Sequence, residues 1–222
     1  MLYLKRMNAE NICVLKCVKD HVSYQQAIGS GILTKNVYSY DMLSAVNEDR
    51  NAILINSVYD NSDRSDWDKW VTCDSFSKMS SRASAEFLPA IVRASGSTRE
   101  EAMNDNWEKL LGEEKLNVLG EMEHMRWCAF HFCNGYRAMT EEEFDKRAEE
   151  YIENLREGKP ANPRIGKDTD ERSHACLIPY DQLDKLSEKE KKVTGRNVNY
   201  KQSDINNVLI IPRILRQEQA EG

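Results

Sequence analysis

Between residues 116 and 134 the chain sets Glu123, His124, Arg126 and His131 among Val118, Leu119, Met122, Met125, Trp127, Ala129, Phe130 and Phe132. A charge among apolar groups is costly unless it is paired or meets a ligand, so these polar residues need partners. Glu123 and Arg126 stand three residues apart and can neutralise each other on one helix face, or they can turn to a ligand. His124, Cys128 and His131 recur at intervals of four and three, which brings them to nearly one side of a helix, and nitrogen and sulfur are donors that zinc accepts. Such a trio would need a fourth ligand from His174 or Cys176. A cysteine among aromatic residues equally packs as a small hydrophobe. No metal site is assigned. Further on, Arg172-Ser-His-Ala-Cys-Leu-Ile-Pro-Tyr180 comes after a long loop, a setting from which side chains reach a groove. Arg172 and His174 suit an anion there, and Tyr180 and Trp127 can stack on a planar group. The competing reading has His174 bridging backbone and Tyr180 filling the core.

Sequence signatures of enzymes are absent. There is no Gly-x-x-x-x-Gly-Lys-Ser/Thr, no Gly-x-Gly-x-x-Gly, no His-Glu-x-x-His and no Gly-x-Ser-x-Gly. No catalytic residue and no cofactor is therefore assigned.

These residues depend on a mainly helical frame with a few short strands. The helix over 116–134 is closed by Gly135. Phe76, Met79, Ala83, Phe87, Ile91 and Ala94 predict another over 75–95, ended by Gly96, and Ser97 or Thr98 caps the next apolar cluster of Trp107, Leu110 and Leu111. Thr140-Glu-Glu-Glu143 is a capping box, opening a helix with Phe144, Ala148, Tyr151, Ile152 and Leu155 on its inner face. Residues 157–168 break helix repeatedly and predict an exposed loop, and 175–178 predict an extended piece ended by Pro179. Ser187-Glu-Lys-Glu190 offers a second capping box, and Ser203-Asp204 a cap for a last helix with Ile205, Val208 and Leu209. Nearer the start, 12–18 and 37–40 suit short strands, with a turn at Gly29-Ser-Gly31 between them, and 45–59 suit a helix.

At 222 residues, with 40% hydrophobic and 31% charged residues, the chain can bury a sizeable core and is neither low-complexity nor wholly disordered. Its apolar runs stop well short of a membrane span, and the first residues lack the pattern of a secretory signal, so a cytoplasmic protein without a membrane partner is expected. Six cysteines without a Cys-x-x-Cys are expected as reduced thiols. A net charge of −6 disfavours nucleic acid as a partner, since that binding relies on a basic footprint. Charge is uneven: eight acids stand against four bases over 141–159, and six bases against two acids over 185–201, both expected as solvated faces.

Glu123-His-Met-Arg-Trp127, Gly135-Tyr136, His174-Ala-Cys-Leu-Ile-Pro-Tyr-Asp-Gln-Leu183 and Ser187-Glu-Lys-Glu-Lys191, in this order, resemble the ryanodine-receptor repeat domain of bacterial type. That family has an acidic-His-x-x-Trp helix, a Gly-aromatic exit, a His-Pro-Cys-Leu-like strand and a Tyr-x-x-Leu turn into an acidic-Lys helix. Here Ala175 stands where proline is usual, and the insertion over 139–171 is longer than in the receptor repeats. The resemblance covers 116–215. Residues 1–60 read as a small mixed α/β segment, for which the resemblance implies either the last strands or a degenerate version of a Rossmann-type domain; a helical packing segment over 61–115 and the repeat over 116–215 follow, and the polar tail over 216–222 is expected to fray. The resemblance further implies a non-enzymatic ligand-sensing or binding module for a nucleotide-derived or other anionic planar molecule. Glu123, His124, Arg126, Trp127, Arg172, His174 and Tyr180 are the expected ligand-binding residues, in a pocket between the helix of Glu123 and the strand of His174. The alternative is a structural module for a protein partner or a second copy of the chain. A third reading, a hydrolase or transferase using Glu123 and His124, ranks behind both.

Overall fold

The computed structural model describes residues 14–17, 37–40, 42–60 and 62–221. The chain divides into two units, residues 1–50 and 51–222. In the first, strands β1 (Val14–Cys17) and β2 (Val37–Tyr40) pair in parallel, with Val14 opposite Val37. The expected Gly29-Ser-Gly31 turn lies outside the described residues. Helix α1 (Met42–Ser57) contributes its last residues to the second unit.

The fold is mainly α-helical with a small three-stranded mixed sheet. Helix α2 (Asp66–Thr72) starts at Ser65, whose hydroxyl accepts from the Asp68 amide. Helix α3 (Ser75–Ser95) starts at Asp74, which caps the Ser77 amide, and stops at Gly96, whose φ of 74° suits a residue without Cβ. Thr98 caps α4 (Arg99–Ala102) through a full capping box. Helix α5 (Trp107–Cys133) starts nine residues earlier than the pattern predicts, because the apolar cluster around Trp107 joins it across a break at Gly112. The Thr140 capping box forms as expected and opens α6 (Glu141–Arg156), which buries Phe144 and Ala148. Leu155, expected inside, faces out: it sits in the last turn, beyond the reach of the core.

Strand β3 (Arg137–Ala138) pairs in parallel with β5 (Ser173–His174), and β4 (Lys167–Asp168) joins β5 antiparallel. The extended piece thus lies just before 175–178. The 157–168 stretch is not simply an exposed loop. Arg147 donates to the carbonyls of Ile165 and Lys167 and to the Asp168 carboxylate, and Ile165 and Gly166 are buried. Helix α7 (Leu183–Thr194) begins before Ser187, so Ser187 is no cap; its hydroxyl bonds the Leu183 carbonyl and receives the Tyr200 amide. Asn199, not Ser203, caps α8 (Tyr200–Leu209), which frees Asp204 to turn inward. The tail does not fray. Ile211, Ile214 and Leu215 recur at helical spacing and are buried, so α9 (Ile211–Glu221) packs down, held by Arg213 to Asp66 at 2.6 Å and Glu218 to Arg99 at 2.5 Å. The exposed polar residues Arg213, Arg216 and Gln219 lie on its outer side.

The principal core joins Leu54, Ile55, Leu88, Ile91, Trp107, Leu119, Val208, Ile211 and Ile214. A second cluster of Met139, Phe144, Ala148, Ile165 and Ala175 holds α6 to the sheet. No described helix is long and apolar enough to cross a membrane.

Candidate functional site

Three helices meet around buried polar groups. Glu123 of α5 is 2% exposed and receives both Nε and Nη2 of Arg126 at 2.8 Å, the Ser84 hydroxyl of α3 at 2.9 Å and Nδ2 of Asn207 of α8 at 3.2 Å. The i, i+3 spacing on α5 makes the forked pair local, and α3 and α8 supply the remaining donors. Asn207 also bonds the Tyr59 hydroxyl.

One position along, His124 reaches the opposite flank. Its Nε2 lies 2.9 Å from the Ile178 carbonyl and its Nδ1 3.2 Å from the Asp204 carboxylate. A carbonyl can only accept, so Nε2 carries a proton, and the carboxylate takes the second from Nδ1. Burial alone would lower this imidazole's pKa, but its bonds to Asp204, Cys128 and the Ile178 carbonyl raise it to about 10. Burial pushes the Asp204 carboxyl up, and His124 pulls it back toward the charged form. His124 is therefore a cation that staples α5 to α8 and to the segment before the Tyr180 turn, and it offers no lone pair.

Beside these groups lies a cavity of about 480 Å³. Its walls come from the end of α1, α2, the first turns of α3, the inner face of α5, the β4 to β5 region and the start of α8. One wall is built of rings. Trp127 lies against His131 with centres 3.8 Å apart and meets His174 edge-on at 4.9 Å, while Phe76 packs on His131 at 5.2 Å. The other walls are polar. Lys69 is 9% exposed, and its ammonium has no hydrogen-bond or ion-pair partner among the described residues. Ser81, 4% exposed, lines the same space, likewise without a hydrogen-bond partner among them. Lys167 sits 5.7 Å over the Phe76 ring, and Arg164 lines the cavity as well. Burial lowers the Lys167 ammonium's pKa, Asp74 opposes that and Arg164 adds to it, so Lys167, Asp74 and Arg164 share one electrostatic neighbourhood.

His131 and His174 are neutral. Burial lowers His131 to about 4, against the opposing bond to the Trp127 carbonyl, with Lys167 and Arg126 adding to the shift. Burial lowers His174 to about 3, with His131, Lys167 and His124 contributing in the same direction.

Of the seven expected ligand-binding residues, His124, Trp127 and His174 line the cavity, and His131 and Cys176, considered as zinc donors, line it as well. Glu123 and Arg126 lie behind it in the three-helix junction. Arg172 is exposed, has a φ of 47° and donates to the Asn134 carbonyl at 3.3 Å. Tyr180 is buried with Cys176 and Leu183, its hydroxyl against Gly120, where a Cβ would stand only 2.7 Å away. Gly120 is what allows the phenol to lie on α5. No group of three His, Cys, Asp or Glu side chains among the described residues is spaced to hold a metal ion. The residues that sequence reasoning passed over are Lys69, Ser81, Arg164 and Lys167. Lys69 sits between Trp67 and Trp70 in a short helix, and Arg164 and Lys167 lie in the Gly- and Pro-rich stretch, so a basic residue in each otherwise unexplained segment was the available signal.

The chain matches no protein-family model, no curated protein and no solved structure.

Proposed function

We propose that the chain is a non-enzymatic binding module of ryanodine-receptor-repeat type, and that its cavity takes an anionic, planar small molecule such as a nucleotide. The observation that carries this reading is the pairing, in one cavity, of a ring wall at Trp127 and Phe76 with a buried lysine, Lys69, that has no counter-ion among the described residues. An ammonium without a counter-ion that lines such a cavity offers an anion a charge-assisted hydrogen bond. Lys167 and Arg164 add positive charge, and Asp74 offsets only part of it. The volume lies within the range usual for small-molecule sites. The hydroxyl of Ser81 supplies a neutral donor, as phosphate sites often use.

Acid–base chemistry at Glu123 and His124 finds no support in this arrangement. Glu123 is filled by donors on both oxygens, and both His124 nitrogens are engaged. For these two residues the internal, structural role is the better reading.

Thermal-shift measurements with AMP, GMP, CMP and UMP test the proposal. At least one is expected to raise the midpoint of unfolding in a concentration-dependent way. In Lys69→Met, which keeps the aliphatic stem, the apparent affinity is expected to fall by about tenfold or more, the size of one lost charge-assisted hydrogen bond. No stabilisation by any of the four, or equal stabilisation of wild type and variant, would count against the reading.

A further inference from the structure

His131 and His174 both line the cavity, their rings edge-on to each other at 75° with centres 5.7 Å apart, and their outer hydrogen bonds fix which nitrogen of each carries the proton. Nδ1 of His131 lies 3.0 Å from the Trp127 carbonyl, which can only accept, so this nitrogen is the N–H. The neutral ring then has a bare lone pair on Nε2. In His174 the arrangement is reversed. Its Nδ1 accepts the backbone N–H of Cys176 at 3.1 Å, so the proton of the neutral ring stands on Nε2. Neither Nε2 has a hydrogen-bond partner among the described residues, although His131 is only 3% exposed. The protein thus fixes one acceptor and one donor next to each other on the ring wall, framed by Trp127 and Phe76.

Resting on the proposed function, we infer that the planar part of the ligand presents a hydrogen-bond donor beside an acceptor on one edge, the donor meeting Nε2 of His131 and the acceptor meeting the Nε2–H of His174. Amino-substituted nitrogen heterocycles and primary carboxamides have such an edge. A plain aromatic ring or an alkyl phosphate does not. Two bonds of ordinary length can bridge rings at this separation through one small planar group. The charged end of the molecule is then left for Lys167, which sits close enough to depress the basicity of both imidazoles, and for Lys69. A site with fixed, buried partners rejects analogues that leave those partners unpaired, so the histidine pair sets specificity while the lysines set the charge requirement.

The test is isothermal titration of the full chain with AMP, with purine riboside 5′-monophosphate, which lacks the amino donor, with N6,N6-dimethyl-AMP, in which that donor is blocked, and with ribose 5-phosphate. AMP is expected to bind about tenfold or more tightly than each of the others. His131→Phe, which keeps a ring in the wall, is expected to lower the affinity for AMP more than that for purine riboside monophosphate and so to erase the advantage of AMP, whereas His174→Phe, which removes the donor to the acceptor nitrogen that both compounds share, is expected to weaken both. Binding of purine riboside monophosphate or ribose 5-phosphate as tight as that of AMP to wild type overturns the edge-recognition inference and leaves the anion site standing. Absence of binding by all four compounds overturns the cavity reading as well. An advantage for AMP that persists in His131→Phe, or an affinity for both compounds that His174→Phe leaves at the wild-type level, overturns the assignment to this pair.

Discussion

Arg126→Met is expected to destabilise the folded chain by about 3–5 kcal/mol, because it strands the Glu123 carboxylate in the junction of α3, α5 and α8. Ser84 and Asn207 still donate to one carboxylate oxygen, but the other loses the Nε–H of Arg126 at 2.8 Å, its sole donor among the described residues. Removing the charge at both ends restores much of the loss, since two neutral side chains of similar volume need no counter-ion. Chemical denaturation of Arg126→Met, Glu123→Gln and the double variant should therefore give a coupling energy of about 1–3 kcal/mol without any ligand. Losses that simply add would show that the pair does not act as one buried unit.

The second large effect is on the pH dependence of stability. His124 holds its proton in the folded state up to about pH 10, whereas an unfolded histidine releases it near 6.5. The folded state thus binds more protons over that window, and stability falls as pH rises through it, by at most about 1.4 kcal/mol per pH unit. His131 and His174 act in the opposite direction. Folded, they take up protons only near pH 4 and 3, so below 6.5 the unfolded chain binds more and stability falls as pH drops. The histidine contribution is expected to peak near pH 6.5 and to decline on both sides. In Asp204→Asn the imidazolium of His124 loses its counter-ion and its pKa falls, so the alkaline decline between 6.5 and 10 should flatten while the acid decline stays. Midpoints of urea unfolding across about pH 4 to 10 measure both limbs; an unchanged alkaline limb in the variant would break the assignment of His124 as a buried cation.

Legibility in the sequence tracks the strength of the local signal. The Thr140 capping box and the apolar period of 75–95 determine their elements because cap and periodicity agree within one turn. The three strands of the small sheet are two residues each, too short to alternate visibly, and β4 is held in place by Arg147 from another helix. The last helix is hidden by its polar outer side, although Ile211, Ile214 and Leu215 have helical spacing. At the site, Trp127 and His124 are legible as polar or amphipathic groups in an apolar helix, and His174 as a histidine beside a short extended segment. Arg126 is equally visible, but the choice between a ligand and Glu123 depends on donors from α3 and α8 that no local pattern shows. Lys69, between Trp67 and Trp70, and Lys167, in the Gly- and Pro-rich stretch, carry only a weak signal in the sequence. Their significance arises only when α2 and β4 are brought to the same cavity as the α5 rings.

The indole N–H resonances of the four tryptophans, followed by two-dimensional NMR while AMP is added, test the central claim most directly. Trp127 is in the ring wall, whereas Trp107 is fully buried in the principal core with its indole bonded to Ser97, and Trp67 is half exposed on α2. A saturable shift of the Trp127 signal, with Trp107 and Trp67 unmoved, is the predicted result. A shift confined to Trp67, or no shift of Trp127 at millimolar AMP, would contradict the account.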